Sequence, residues 1–143
     1  MYKEDLAVLM ESGNDTYITV GWLTDTIRFK ESFTLNKHRK NLISRLYYCN
    51  KYATIRMSKE GHHECDYCHF DESERTFNFA EIGNGEILIR DKNKRNVIYV
   101  APTMICHYVD IHGYVPPMSF VESVLYASDD DLLEFKRIED ANK

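Results

Sequence analysis

The feature that most constrains the fold is a Cys-x2-Cys pair, Cys65 and Cys68, followed downstream by a His-x4-His pair, His107 and His112. Thiolates and imidazoles at these local spacings are typical of a zinc site, because two nearby ligands can reach one ion from a single turn. Four protein ligands leave no coordination position for a substrate. The pattern therefore predicts a structural zinc ion that joins two distant segments of the chain.

Three further side chains are alternates for places around the predicted metal: His63, His69 and Cys106. His107 and His112 are five residues apart, which is about 140° round an ideal helix. Both can face one ion only where the last helical turn tightens or unwinds. Asp110 lies between them, and we expect it to accept a hydrogen bond from a ligand imidazole without binding the ion itself.

The cysteine pair has other interpretations. Free thiols in a polar loop would need no metal, and a redox pair would need βαβ surroundings that the pattern around Cys65 and Cys68 lacks. A catalytic zinc would need an open position and a base, for which Glu64, Asp66 and Asp110 are the candidates. The chain has no His-Glu-x-x-His sequence. We therefore expect structural zinc and no catalytic residues, with a zinc-dependent hydrolase as the alternative function.

The strand pattern indicates a meander. Segments with the β-branched and aromatic content or the alternation typical of strands occur at 17–23, 52–57, 77–82, 86–90 and 97–100. Gly83-Asn84-Gly85 is typical of a hairpin turn, and residues 91–96 form a second turn. These turns predict that consecutive strands pair in the antiparallel sense.

Helical periodicity supplies the other half of the fold. Apolar residues at helical spacing, or residues typical of helix ends, occur over 2–11, 34–50, 102–112, from 115 onward and from 129 onward. Pro102 suits the first turn of the third helix and Gly113 suits the position after its end. We expect one α+β domain over residues 1–143, with a frayed tail at about 136–143 and the Cys-x2-Cys knuckle pinned to helix 102–112.

The charge balance excludes some classes of partner. A net charge of −5 argues against general attraction to nucleic acid or anionic lipid, and it favours a basic protein partner. A nucleic-acid-binding zinc module is the further alternative, and its candidate residues are Arg39, Lys40, Arg45, Lys92, Lys94 and Arg95. The start of the chain has no secretory pattern, and no apolar run reaches about 18 residues. We expect a cytoplasmic protein with reduced cysteines and no membrane partner.

Several short motifs occur in a fixed order: Gly-Trp-Leu at 21–23, Gly-x-His-x-Cys-x-x-Cys at 61–68, Gly-Asn-Gly-Glu-Ile at 83–87, Tyr-Val-Ala-Pro at 99–102 and His-Tyr-Val-x-x-His-Gly-Tyr-x-Pro-Pro at 107–117. In this combination the chain resembles an uncharacterised family of small bacterial domains. The resemblance implies a bacterial origin, and it groups five residues as one set: His63, Cys65, Cys68, His107 and His112. It brings no established activity. By analogy with small standalone domains, it favours an accessory or immunity-type protein that binds another protein.

Overall fold

The computed structural model describes residues 5–22, 36–57 and 85–141. Within these ranges the chain combines four helices with one mixed β-sheet, so the predicted α+β class is confirmed. In chain order the elements are β1 (Val8–Ser12), β2 (Asp15–Thr19), α1 (Asn36–Ala53), β3 (Thr54–Met57), β4 (Gly85–Arg90), β5 (Val97–Pro102), α2 (Ile105–His112), α3 (Met118–Tyr126) and α4 (Asp129–Ala141).

The sheet has the strand order β1-β2-β5-β4-β3 in the described part of the chain. Neighbouring strands are antiparallel except β2 and β5, which are parallel, with Thr16 opposite Val97 and Thr19 opposite Val100. The sheet is therefore mixed, and the prediction of a purely antiparallel meander is wrong in this respect. Parallel neighbours need a crossover connection, and here α1, β3 and β4 lie between them in the chain.

The first predicted helix, over 2–11, is also wrong, because Val8–Ser12 forms the edge strand β1. It pairs with β2 through a tight hairpin, in which Ser12 lies opposite Asp15 and Gly13 has a φ of 61°. The Ser-Gly-Asn-Asp sequence is thus the turn of a hairpin and not the end of a helix. Backbone pairing with β2 outweighs a weak local preference for helix.

The β4–β5 hairpin follows the prediction for 86–90 and 97–100, and β4 pairs with β3 on its other side. Asp91 stabilises the turn between β4 and β5 (residues 91–96, the β4–β5 turn). Its Oδ1 accepts hydrogen bonds from the amides of Asn93 and Lys94 at 2.8 and 2.7 Å. Its Oδ2 accepts one from the buried Tyr99 hydroxyl. The predicted strand at 77–82 lies outside the described residues, as does most of its Gly83-Asn84-Gly85 turn.

Two helix boundaries differ from the prediction. Pro102 is the last residue of β5 and not part of a helix, and α2 begins at Ile105. Pro102 has no amide hydrogen to donate to the ladder, and it lies at the terminus of β5. α4 continues to Ala141, into the segment for which the sequence predicts a frayed tail.

Side chains on β5 alternate between two apolar clusters, as the pleat of a strand requires. Ile98 and Val100 join a small cluster with Leu88 and Phe135. Tyr99 and Ala101 join the large cluster, to which α1, α2 and α3 contribute. α2 is the most deeply placed of these helices, because every residue from Ile105 to Val109 is buried. The core therefore fixes the position of the helix that carries His107 and His112.

Candidate metal centre

The predicted metal ligands are divided between described and undescribed parts of the chain. His107 and His112 both lie in α2. Cys65, Cys68 and the alternates His63 and His69 lie outside the described residues. Within residues 5–22, 36–57 and 85–141, no group of three or more His, Cys, Asp or Glu side chains is placed to hold a metal ion. The four-ligand site therefore stays a prediction, and the structure describes its histidine half.

The two histidine rings lie side by side at the end of α2. Their centroids are 5.0 Å apart and their planes are inclined by 77°. A zinc-bound imidazole nitrogen is about 2.0–2.1 Å from the ion and the ring centroid about 1 Å further, so two imidazoles at the tetrahedral angle have centroids about 5 Å apart. The observed separation is therefore compatible with two ligands of a single ion, as it is with an edge-to-face contact between two packed rings.

The last turn of α2 explains how residues five apart come together. The amide of Gly113 donates to the carbonyl oxygen of Tyr108, five residues back, and Tyr114 donates to the same oxygen at 3.0 Å. A bond across five residues is wider than the four-residue bond of an α-helix. Gly113 ends the helix with a φ of 70°, in the left-handed region. This widening brings His112 towards the face of the helix that carries His107.

Side chains of helix α1 donate hydrogen bonds to the last turn of α2. The Nη2 of Arg39 donates to the carbonyl oxygens of Val109 at 3.4 Å and Asp110 at 2.8 Å. These carbonyls belong to the last turn of α2, where no following helical amide can reach them. The hydroxyl of Tyr47 donates to Oδ2 of Asp110 at 3.1 Å. Two side chains of α1 therefore fix the turn that lies between the histidines.

The two histidines differ in burial. His107 is 3% exposed, and burial lowers the pKa of the partly exposed His112. Desolvation favours the neutral imidazole, which is the form that binds a metal. Burial of His107 and the lowered pKa of His112 are compatible with ligation by neutral rings.

Cys106, the predicted alternate ligand, is buried at the contact between α2 and α1. Its Sγ donates to the carbonyl oxygen of Leu46 at 3.4 Å, and burial raises the pKa of the thiol. Cys49 is buried as well, and burial raises its pKa to about 12. Both thiols are therefore held in the protonated form, in which a cysteine is a poor ligand.

Sequence reasoning missed the supporting role of Arg39 and Tyr47. The sequence presents Arg39 only as a candidate for a nucleic-acid-binding surface, because helical periodicity does not show which distant carbonyl a long side chain reaches. Arg45 has the same kind of role at the end of α3, where it donates to the carbonyl oxygens of Val124 at 3.3 Å and Ala127 at 2.9 Å. No local sequence signal distinguishes these arginines from solvated ones.

The basic residues proposed for nucleic acid are largely engaged within the chain. Besides Arg39 and Arg45, Arg95 pairs with Asp131 and donates to the carbonyl oxygen of Asp91. The ammonium of Lys92 lies 4.3 Å from the centroid of the Tyr126 ring. These contacts give structural reasons for four of the six residues and lend no support to a nucleic-acid surface.

Comparison with other proteins places the chain in a family. Among the described residues, no helix has both the length and the apolar character needed to cross a membrane. No curated protein and no solved structure matches the chain. Residues 1–125 match the family described as "Domain of unknown function (DUF7919)". Since the match covers most of the sequence, the chain belongs to the DUF7919 family of domains of unknown function.

Proposed function

We propose that this protein is a small, non-enzymatic bacterial domain of the cytoplasm that holds a structural zinc ion and acts by binding another protein. The ligands in this proposal are Cys65, Cys68, His107 and His112. The observation that carries it is the 5.0 Å separation of the two histidine rings at the end of α2. That separation is compatible with two imidazoles on a tetrahedral ion.

A structural role for the ion agrees with the way α2 is held. The helix is packed in the large apolar cluster and its last turn is fixed by α1, so the histidines are supported by a rigid framework. Four protein ligands would fill the coordination sphere and leave no position for a water nucleophile. The ion would tie α2 to the segment around residues 61–70. This role favours a structural zinc over the alternative of a zinc-dependent hydrolase.

Metal content and ligand variants test the zinc proposal. We expect about one zinc per chain in the purified protein and a lower melting temperature after chelation, because a structural ion contributes directly to folding. Cys65→Ser and His112→Gln should lose the metal, whereas His62→Gln, a histidine outside the predicted set, should retain it. His63→Gln and His69→Gln decide whether either alternate is a ligand. A protein that carries no stoichiometric metal, and whose melting is indifferent to chelators, would contradict the proposal.

A basic protein partner is the second part of the proposal. The net charge of −5 supports it, because an acidic domain attracts basic surfaces and repels other acidic ones. We expect the tagged domain to capture a specific basic protein from its host at low salt and to release it as the salt concentration rises. If the captured material does not change between the metal-loaded domain and a Cys65→Ser variant, binding does not depend on the zinc-stabilised fold. The absence of any captured protein would count against a binding role.

A further inference from the structure

We propose that Arg39 and Tyr47 are positioning residues that hold the last turn of α2 in the geometry in which His107 and His112 share one ion. The inference rests on the proposed function, because it concerns the same metal site. It adds that part of the metal affinity is set by α1, which contributes none of the predicted ligands.

The contacts of Arg39 fall between the two histidines. Its guanidinium reaches the carbonyl oxygens of Val109 and Asp110, which are two and three residues after His107. A cation at the C-terminus of a helix also interacts favourably with the partial negative charge there. Arg39 therefore stabilises the widened turn itself, and the widened turn determines how closely the rings approach.

Tyr47 adds a second contact to the same turn. It lies two helical turns further along α1 than Arg39, and its hydroxyl donates to the carboxylate of Asp110. Asp110 is thereby held by its backbone carbonyl and by its side chain at once. Two contacts from one rigid helix restrict rotation of the turn more than either contact alone.

The chain provides matched controls on the same helix. Arg45 donates to two carbonyl oxygens at the end of α3, which contains none of the predicted ligands. Tyr48, next to Tyr47, donates through its hydroxyl to Oδ1 of Asp129 at 2.9 Å. Each control removes the same functional group from α1 as its partner variant, so a general loss of packing would affect both members of a pair.

The test measures metal affinity and coordination in the full chain. Zn²⁺ affinity would be measured by competition with a chromophoric chelator, and ligand geometry by the visible absorption of the Co²⁺-substituted protein. Loss of residues that orient metal ligands weakens affinity by about 10–100-fold, so we expect on the order of tenfold for Arg39→Gln and less for Tyr47→Phe. Arg45→Gln and Tyr48→Phe should stay within about twofold of the wild type, because they act on other elements. Of the two arginine variants, only Arg39→Gln should change the absorption spectrum of the Co²⁺-substituted protein.

Each outcome has a definite meaning. If the wild type binds no stoichiometric Zn²⁺, the proposed function fails and the positioning role falls with it. If the wild type binds Zn²⁺ and Arg39→Gln matches Arg45→Gln in affinity and in Co²⁺ spectrum, the positioning role is overturned and the zinc site stands. If Arg39→Gln does not fold, the comparison of Tyr47→Phe with Tyr48→Phe decides, because each loses only one hydroxyl. Equal affinities in that pair would overturn the inference.

Discussion

The β4–β5 turn and the last turn of α2 (residues 108–114) satisfy the same physical requirement by different means. Each is a tight piece of backbone beside the core, and each is stabilised by a charged side chain that binds main-chain groups. In the β4–β5 turn that side chain is Asp91, within the turn itself. At the end of α2 it is Arg39, which is 70 residues from Val109 in the sequence.

A turn that is ordered by one of its own side chains depends little on the packing of other elements. A turn that is held by a side chain from a distant helix forms only when that helix is packed against it. The side chain that orders the amides of the β4–β5 turn comes from the turn itself, although Lys92 and Arg95 also contact α3 and α4. The end of α2 needs α1 to be docked. A metal site on that second turn is therefore linked to the packing of α1 on α2, and variants of the two turns should behave differently.

The largest effect is expected from Asp91→Ala. Asp91 is 7% exposed and accepts from two amides and the Tyr99 hydroxyl, so its loss leaves three donors without this acceptor. We expect the free energy of unfolding in urea to fall by about 2–4 kcal/mol, because the buried Tyr99 hydroxyl loses its acceptor and the turn loses the carboxylate that orders its two amides. Metal affinity should be unaffected. Asp91→Asn keeps an acceptor oxygen and should lose less, and a loss below about 1 kcal/mol in Asp91→Ala would show that the turn does not depend on this side chain.

The next effect concerns the two arginines of α1. In the metal-free protein, Arg39→Gln and Arg45→Gln should each lower the free energy of unfolding by about 1.5–3 kcal/mol, because each loses hydrogen bonds from a charged donor to partly buried carbonyls. Adding Zn²⁺ should separate them, with a smaller stabilisation of the Arg39 variant. Thermal melting with and without Zn²⁺ measures both quantities. Equal stabilisation of the two variants by Zn²⁺ would show that Arg39 contributes no more to Zn²⁺ binding than Arg45 does.

The sequence predicts those elements whose stabilising contacts are made by residues that are near in the chain. The hairpin over 86–100 follows from alternation and turn residues, and α1 follows from a helical period over 34–50 that the structure extends to Asn36–Ala53. Gly113 marks the end of α2 because a glycine accepts the left-handed conformation found there. The approach of His107 and His112 was predictable as a possibility from their spacing, given a turn that departs from the ideal helix.

The sequence does not predict strand pairing or side-chain contacts between residues that are distant in the chain. The apolar residues Val8, Leu9 and Met10 predict part of a helix face, but the pairing of β1 with β2 decides their conformation. The parallel pairing of β2 with β5 leaves no mark in either strand alone. The contacts of Arg39 are of the same kind. The cysteine half of the candidate site falls outside the described residues, so its prediction rests on the Cys-x2-Cys spacing alone.

A smaller effect is expected at the glycines of two turns. Gly113 and Gly13 have φ angles of 70° and 61°, and a Cβ built on either meets nothing within 4 Å. Alanine at either position should therefore cost about 1 kcal/mol through backbone strain alone. Gly113→Ala should also weaken Zn²⁺ binding, since it disturbs the turn that brings the rings together, whereas Gly13→Ala in the β1–β2 turn should not. Urea unfolding and chelator competition on both variants measure this contrast.

The smallest effect is the pH dependence of the β4–β5 turn. Burial opposes ionisation of Asp91, but hydrogen bonds from Tyr99 and from the amides of Lys94 and Asn93 outweigh it and hold its pKa below the usual value. The unfolded chain therefore binds this proton at a higher pH than the folded chain. The stabilisation by ionised Asp91 is fully present above the pKa of the unfolded chain, about 3.9. It is lost as the pH falls from that value towards the lower pKa of the folded chain. The free energy of unfolding should fall more steeply below about pH 4.5 in the wild type than in Asp91→Asn, which has no carboxylate to protonate. Identical slopes in urea titrations of the two proteins over that interval would show that Asp91 does not link protonation to folding, and the β4–β5 turn would then be stabilised by its shape and not by its charge.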